Sequence, residues 1–210
     1  MTSAPDLSWP EAIEVAARSV AHLTIRTAGP GMADLPLPYE TIRRQPEMVE
    51  QWIRQYAEAT ADFNGVCPPG VASAFVLQYT LDPLATATAA LAERSTWVPD
   101  LRLDRWSIAL EPTGLYPLAV QVRRGAARQV RDPSIRHALA RDVYRSAASS
   151  LARHHPALEK MSSRQRYGMV GDMWAGAIAR LRGDLPPRRV SCCLIYALPS
   201  CEPCAGCPRL

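Results

Sequence analysis

The 210 residues (23.1 kDa) suffice for one large domain or two small ones. At 48% hydrophobic and 21% charged, the chain can bury a core and lacks the composition of a disordered protein. It holds no run of about 18 apolar residues, which excludes a helical membrane span. The amino-terminal stretch MTSAPDLSWPEAIEVAARS has neither a basic start nor an apolar segment, so no secretory signal is expected there. A cytoplasmic, reducing setting follows as the expectation, and in it six cysteines suit metal or redox chemistry better than structural disulfides.

Charge is unevenly spread. Residues 1–116 hold 8 arginines against 14 acids, a net −6, whereas residues 117–210 hold 15 arginines and 1 lysine against 6 acids, a net +10. The basic half is also the cysteine-rich half, which suggests an anionic partner, ligand or metal centre. Nucleic acid is not expected, because the arginines are dispersed along helical patterns with no glycine-aromatic signature or finger spacing.

In chain order, Ser8-Trp9-Pro10-Glu11 predicts a capping box, with Ser8 accepting from the first turn and Glu11 reaching back. Ile13, Ala16, Val20 and Leu23 recur at helical spacing up to Gly29-Pro30, and residues 30–38 predict a loop. A second helix is expected from near Pro46, burying Val49, Trp52, Ile53 and Tyr56, and residues 65–70 break it. An apolar stretch runs from Val71 through Leu91, interrupted at Asp82-Pro83.

The period then changes to two. Leu101, Leu103, Ile108 and Leu110 alternate with polar neighbours, Pro112-Thr113-Gly114 is turn chemistry, and residues 118–122 read as a returning strand. Together they predict a small antiparallel sheet. Residues 123–131 carry no clear pattern.

Two helices follow. Asp132-Pro133 is a cap with proline in the first turn, and Ile135, Leu139, Val143, Ala147 and Leu151 form the expected buried stripe up to His155-Pro156. Ser163 is the expected cap of the next helix, with Tyr167, Val170, Trp174, Ile178 and Leu181 turned inward until Gly183 and Pro186-Pro187. The fold class is therefore α+β: a helix-rich domain over residues 1–187 and a cysteine-rich carboxyl-terminal segment, 188–210, docked on it.

That segment holds Cys192, Cys193, Cys201, Cys204 and Cys207 within the last 19 residues; Cys67 stands apart, most simply as a small buried hydrophobe. Its skeleton is C-C, ten residues, then C-x-x-C. A C-x-x-C turn with Ala205-Gly206 inside can present two thiolates to one metal, and four soft thiolates suit zinc or an iron–sulfur cluster. Neighbouring side chains diverge, so a vicinal pair fits a binuclear cluster better than a single tetrahedral ion. A disulfide pair is the third option.

The C-C-x10-C-x2-C pattern, with Leu194-Ile195-Tyr196 after the pair and Pro208 after the last cysteine, resembles the FhuF-like ferric-siderophore reductases. Trp174-Ala175-Gly176-Ala177 and Arg188-Arg189-Val190-Ser191 extend the resemblance, which covers about the last 50 residues. It implies that Cys192, Cys193, Cys204 and Cys207 bind one [2Fe–2S] cluster and that the protein is an enzyme, a ferric-siderophore reductase. A ferric siderophore would be the substrate, and a ferredoxin or flavin reductase the electron donor, since no nicotinamide fingerprint is present. Cys201 lies outside the family's spacing. Arg188 and Arg189, just before the first ligand, are candidates for raising the cluster potential. No catalytic residue beyond the cluster ligands, and no substrate-binding residue, is assigned. The competing readings are a zinc-stapled interaction module and an iron–sulfur redox sensor. Trp106, Tyr167 and Trp174 are expected in the core and His154-His155 exposed at a helix end, while His22 and His137 carry no partner signal in the sequence.

Overall fold

Capping chemistry starts several helices where the sequence places it. The computed structural model describes residues 5–28, 35–123, 127–199 and 201–209. Helix α1 (Trp9–Arg18) begins at the expected Ser8–Glu11 capping box, where the Ser8 amide and hydroxyl both donate to the Glu11 carboxylate (2.9 and 2.6 Å). Helix α1 ends at Arg18, short of the expected stop, and Gly29-Pro30 lies outside the described residues. The chain then forms strand β1 (Thr24–Thr27), which buries Ile25. Residues 30–34 of the expected loop also lie outside the described residues, and its end forms a short strand β2 (Leu37–Pro38) leading into α2 (Tyr39–Arg44).

Helix α3 (Pro46–Asn64) buries Val49, Trp52 and Ile53 as expected, while Tyr56 is only half-buried. Helix α4 (Val71–Arg94) runs unbroken through Pro83, against the predicted interruption. An interior proline costs a helix about 3 kcal/mol. Here 19 of the 24 residues are buried, among α1, α3 and the last two helices, and that burial outweighs the defect.

The sheet is mixed where an antiparallel one was expected. A 3₁₀ turn (Leu103–Arg105) replaces the first half of the predicted strand. Strand β3 (Trp97–Pro99) pairs antiparallel with β6 (Ala127–Gln129), while β4 (Trp106–Leu110) pairs antiparallel with both β2 and β5 (Pro117–Val122). Strand β1 adds in parallel to β5, from Thr24 opposite Ala119 to Thr27 opposite Val122, giving the order β1-β5-β4-β2.

Asp132 caps α5 (Pro133–His154) by accepting from the Ile135 amide at 2.9 Å. Of the predicted stripe, Ala147 and Leu151 are buried and Leu139 and Val143 half-buried, but Ile135 is 59% exposed, and the buried face is rotated to take in Arg136, Ala140, Tyr144 and Ala148. Alanines let α5 approach α4 closely, and Arg136 turns in to donate to the carbonyls of Ala92, Val130 and Arg131. Helix α6 (Ser163–Arg182) is capped by Ser162, one residue before the expected cap, through the Gln165 amide. Tyr167 is exposed, Trp174 is half-buried and stacks on Tyr144, and Trp106 is fully buried. The architecture is α+β. Among the described residues no helix is long and apolar enough to cross a membrane.

Candidate metal centre

Gly183 ends α6 in the left-handed region, and the chain doubles back along the helix it has just left. The return is close because Gly168 has no side chain: a Cβ there would stand 3.1 Å from Val190 Cγ1 and 3.3 Å from the Ser191 nitrogen. Asp172, one turn further along α6 and 8% exposed, secures the strap. Its carboxylate accepts from the amides of Val190 (2.8 Å) and Ser191 (2.7 Å) and from the Ser191 hydroxyl (2.5 Å). Gln165 donates its side-chain amide to the Cys192 carbonyl at 2.9 Å. The backbone leading into the vicinal cysteine pair, up to the Cys192 carbonyl, is thus tied to α6.

A second arm then forms. Leu194 takes a positive φ of 64°, a 3₁₀ turn covers Ile195–Ala197, and Leu198 buries itself against Val71 and Phe75 of α4. The Cys207 amide donates to the Cys204 carbonyl at 2.9 Å, closing the C-x-x-C turn. Gly206 sits at φ 79°, where any Cβ would collide with the Pro187 carbonyl oxygen, and its own carbonyl accepts from the Arg189 amide at 2.8 Å. That bond stitches the two arms together.

The Sγ atoms of Cys193 and Cys204, one from each arm, lie 3.7 Å apart. This is far beyond the ~2.05 Å of a disulfide. It matches the roughly 3.8 Å between two sulfurs on a tetrahedral ion with bonds of about 2.3 Å. Burial, the adjacent Cys193 and, more weakly, Cys207 push the Cys204 thiol up to about 11, while the charge of Arg189 acts the other way. Cys193 and Cys207 are buried, and Cys192 and Cys204 half-buried. The structure therefore draws Cys193, Cys204 and Cys207 into one neighbourhood. Among the described residues no three His, Cys, Asp or Glu side chains form a complete metal-binding group.

Of the two arginines singled out, Arg189 is the one at the centre. It donates to Gln78 of α4 (3.1 Å) and to Ser191 (3.4 Å), and its Nε stands 3.7 Å from Asp172. Arg188 is exposed. Cys201 and Cys67 both pack at the small apolar cluster around Val71, Phe75 and Leu198, and burial raises the Cys67 thiol. Of the histidines, His155 departs from expectation. His154 is exposed, but His155 is buried and donates to the Ser73 carbonyl. His22 lies 3.5 Å from Asp82, and His137 lies 3.5 Å from Glu93.

Asp172, Gln165 and Gln78 were not legible as site residues. The one available signal was a carboxylate on the buried face of α6 between Met169 and Met173. No protein-family model matches the chain, and no curated protein matches it.

Proposed function

We propose that the protein is a one-electron oxidoreductase whose Cys192, Cys193, Cys204 and Cys207 hold a [2Fe–2S] cluster, and that it reduces Fe(III) held by siderophores, as the FhuF-like resemblance implies. The observation that carries this reading is the 3.7 Å separation of the Cys193 and Cys204 sulfurs, which pairs the two arms of the motif at the spacing of ligands on one ion. The donor chemistry fits: four soft thiols on two stitched arms, two of them buried, with a guanidinium beside them.

When bound, the cluster supplies single electrons that convert Fe(III) to Fe(II), which hard oxygen donors hold less tightly. The chain's own residues orient and tune. Asp172 and Gln165 fix the backbone that carries Cys192 and Cys193. Arg189 holds positive charge near Cys204, which favours the more negative, reduced state of a thiolate centre. Burial of Cys193 and Cys207 screens one side from oxidants, and the half-buried Cys192 and Cys204 leave the other accessible. An external ferredoxin or flavin reductase provides the electron.

The same sulfur spacing also suits one zinc ion, which would make the tail a stapled interaction module. An anaerobic visible spectrum with iron and sulfide analysis separates the two. The expected result is a coloured protein with iron and sulfide in equal amounts, the colour changed or lost in Cys204→Ser, and oxidation of the reduced protein by a ferric siderophore. A colourless protein holding zinc would overturn the reductase reading. A stable cluster that leaves ferric siderophores untouched would point to a sensor.

A further inference from the structure

A cavity of about 330 Å³ lies between α4, α6 and the returning tail, and its wall includes His22, Gln78, Gly176, Arg180, Arg189 and Ala205. Ala205 is the residue after Cys204 in the C-x-x-C turn, and the Arg189 amide is bonded to Gly206 of the same turn. The cavity and the thiol centre therefore share a wall one turn thick.

The chemistry of the lining narrows what fits. The carboxylate of Asp82 is matched by Arg180 at 2.6 Å and by His22 at 3.5 Å, and that of Asp172 by the strap amides and Arg189. The side chains of Arg180 and His22 remain 46% and 49% exposed, so part of their hydrogen-bonding capacity is open to a ligand. Met173, Ala179 and the two prolines form an apolar counterpart. Oxygen acceptors on one flank and a hydrocarbon or peptide scaffold on the other would satisfy both parts.

We propose that this cavity is the seat of the ferric chelate, an oxygen-donor complex whose edge enters between α4 and α6 and rests against the C-x-x-C turn. This rests on the ferric-reductase reading. Three carboxylates (Asp82, Asp172 and Asp184) against two guanidiniums line the wall, so an uncharged complex is the suitable probe.

Gly176 provides the test. A Cβ there meets only Arg180 NH1, at an ordinary 3.5 Å, so Gly176→Leu adds bulk to the cavity without forcing the backbone, and replacing an interior helical glycine favours the helix. Calorimetric titration of the cluster-loaded protein with a redox-inert gallium(III) trihydroxamate complex should show binding that weakens at least tenfold in Gly176→Leu and several-fold in His22→Ala, both variants keeping the wild-type visible spectrum. Undiminished binding in both variants would overturn the proposal. So would a wild-type protein that reduces the iron complex without measurable affinity for its gallium counterpart. Binding that responds to Gly176→Leu while the iron complex stays oxidised would uphold the cavity and sink the reductase reading. Neither binding nor reduction would sink both.

Discussion

His155, 6% exposed, donates its Nε2–H to the Ser73 carbonyl at 2.9 Å, and burial lowers its pKa to about 4, with the charge of Arg166 acting in the same direction. The unfolded imidazole takes up its proton near 6.5, so between about pH 6.5 and 4 the unfolded chain holds more protons and stability falls as pH falls. The loss from this group amounts to roughly 2–3 kcal/mol by pH 4.5. His137, also lowered by burial, adds to it with the same sign. Carboxylates held below their ordinary values, such as Glu40 through Arg43, stabilise the fold above about pH 4.5 and lose that contribution as pH falls below it. Urea unfolding at pH 7 and pH 4.5 should show the drop in the wild type and a clearly smaller one in His155→Gln, which keeps a donor for Ser73 and has no titration. Equal drops would show that His155 is not its source. The sequence marks His154-His155 only as a pair at a helix end. Which of the two is buried depends on Ser73, 82 residues away, and no local pattern carries that.

At the scale of elements, start and stop signals were legible because they are local chemistry: Asp132 caps α5, and Gly183 closes α6. Faces and pairings were not. Strand β1 exists because β5 lies beside it, about 95 residues on, and α4 passes through Pro83 because neighbours enclose it. The inner face of α5 escaped the apolar stripe because, beside Tyr144 and Leu151, it is built of alanines and one charged residue. Arg136 is 2% exposed and serves three carbonyls, at 2.8, 3.0 and 3.0 Å, tying the ends of α4 and β6 to α5. Arg136→Ala leaves those carbonyls without a donor, a loss on the order of 3 kcal/mol. For a chain of this length that lowers Tm by roughly 6–12 °C. Arg136→Lys, which cannot span three acceptors, should recover only part of it. An unchanged Tm in the alanine variant would mean that water replaces the guanidinium at little cost.

Across the whole molecule, part of the charge asymmetry between the chain's halves is met inside the fold. Arg180 pairs with Asp82, Arg182 with Glu93 and Arg131 with Asp6, each joining the basic half to the acidic one. The tail joins the same body by other means. The largest fully buried side chains, such as Trp106, Tyr39, Tyr144 and Leu81, all precede it, and the tail itself buries Ser191, Cys193, Leu198 and Cys207. The cysteine motif was legible because its spacing is local, whereas the anchor of the strap that leads into it, Asp172, contacts the tail 18 and 19 residues downstream across a tight turn. This division predicts that the tail can be released without melting the helices. Asp172→Ala removes a carboxylate acceptor from two amides and a hydroxyl, and charged hydrogen bonds of this kind contribute about 1.5–3 kcal/mol each, with losses that overlap. A net local loss of about 2–4 kcal/mol raises the open population of the strap at least tenfold. Trypsin should then cut after Arg188 and Arg189 at least ten times faster than in the wild type, while far-ultraviolet circular dichroism and the main thermal transition stay close to wild type. If helix content and tail protection fell together, the strap would be part of one cooperative unit with α6, and the cysteine arms could not be loosened apart from the core.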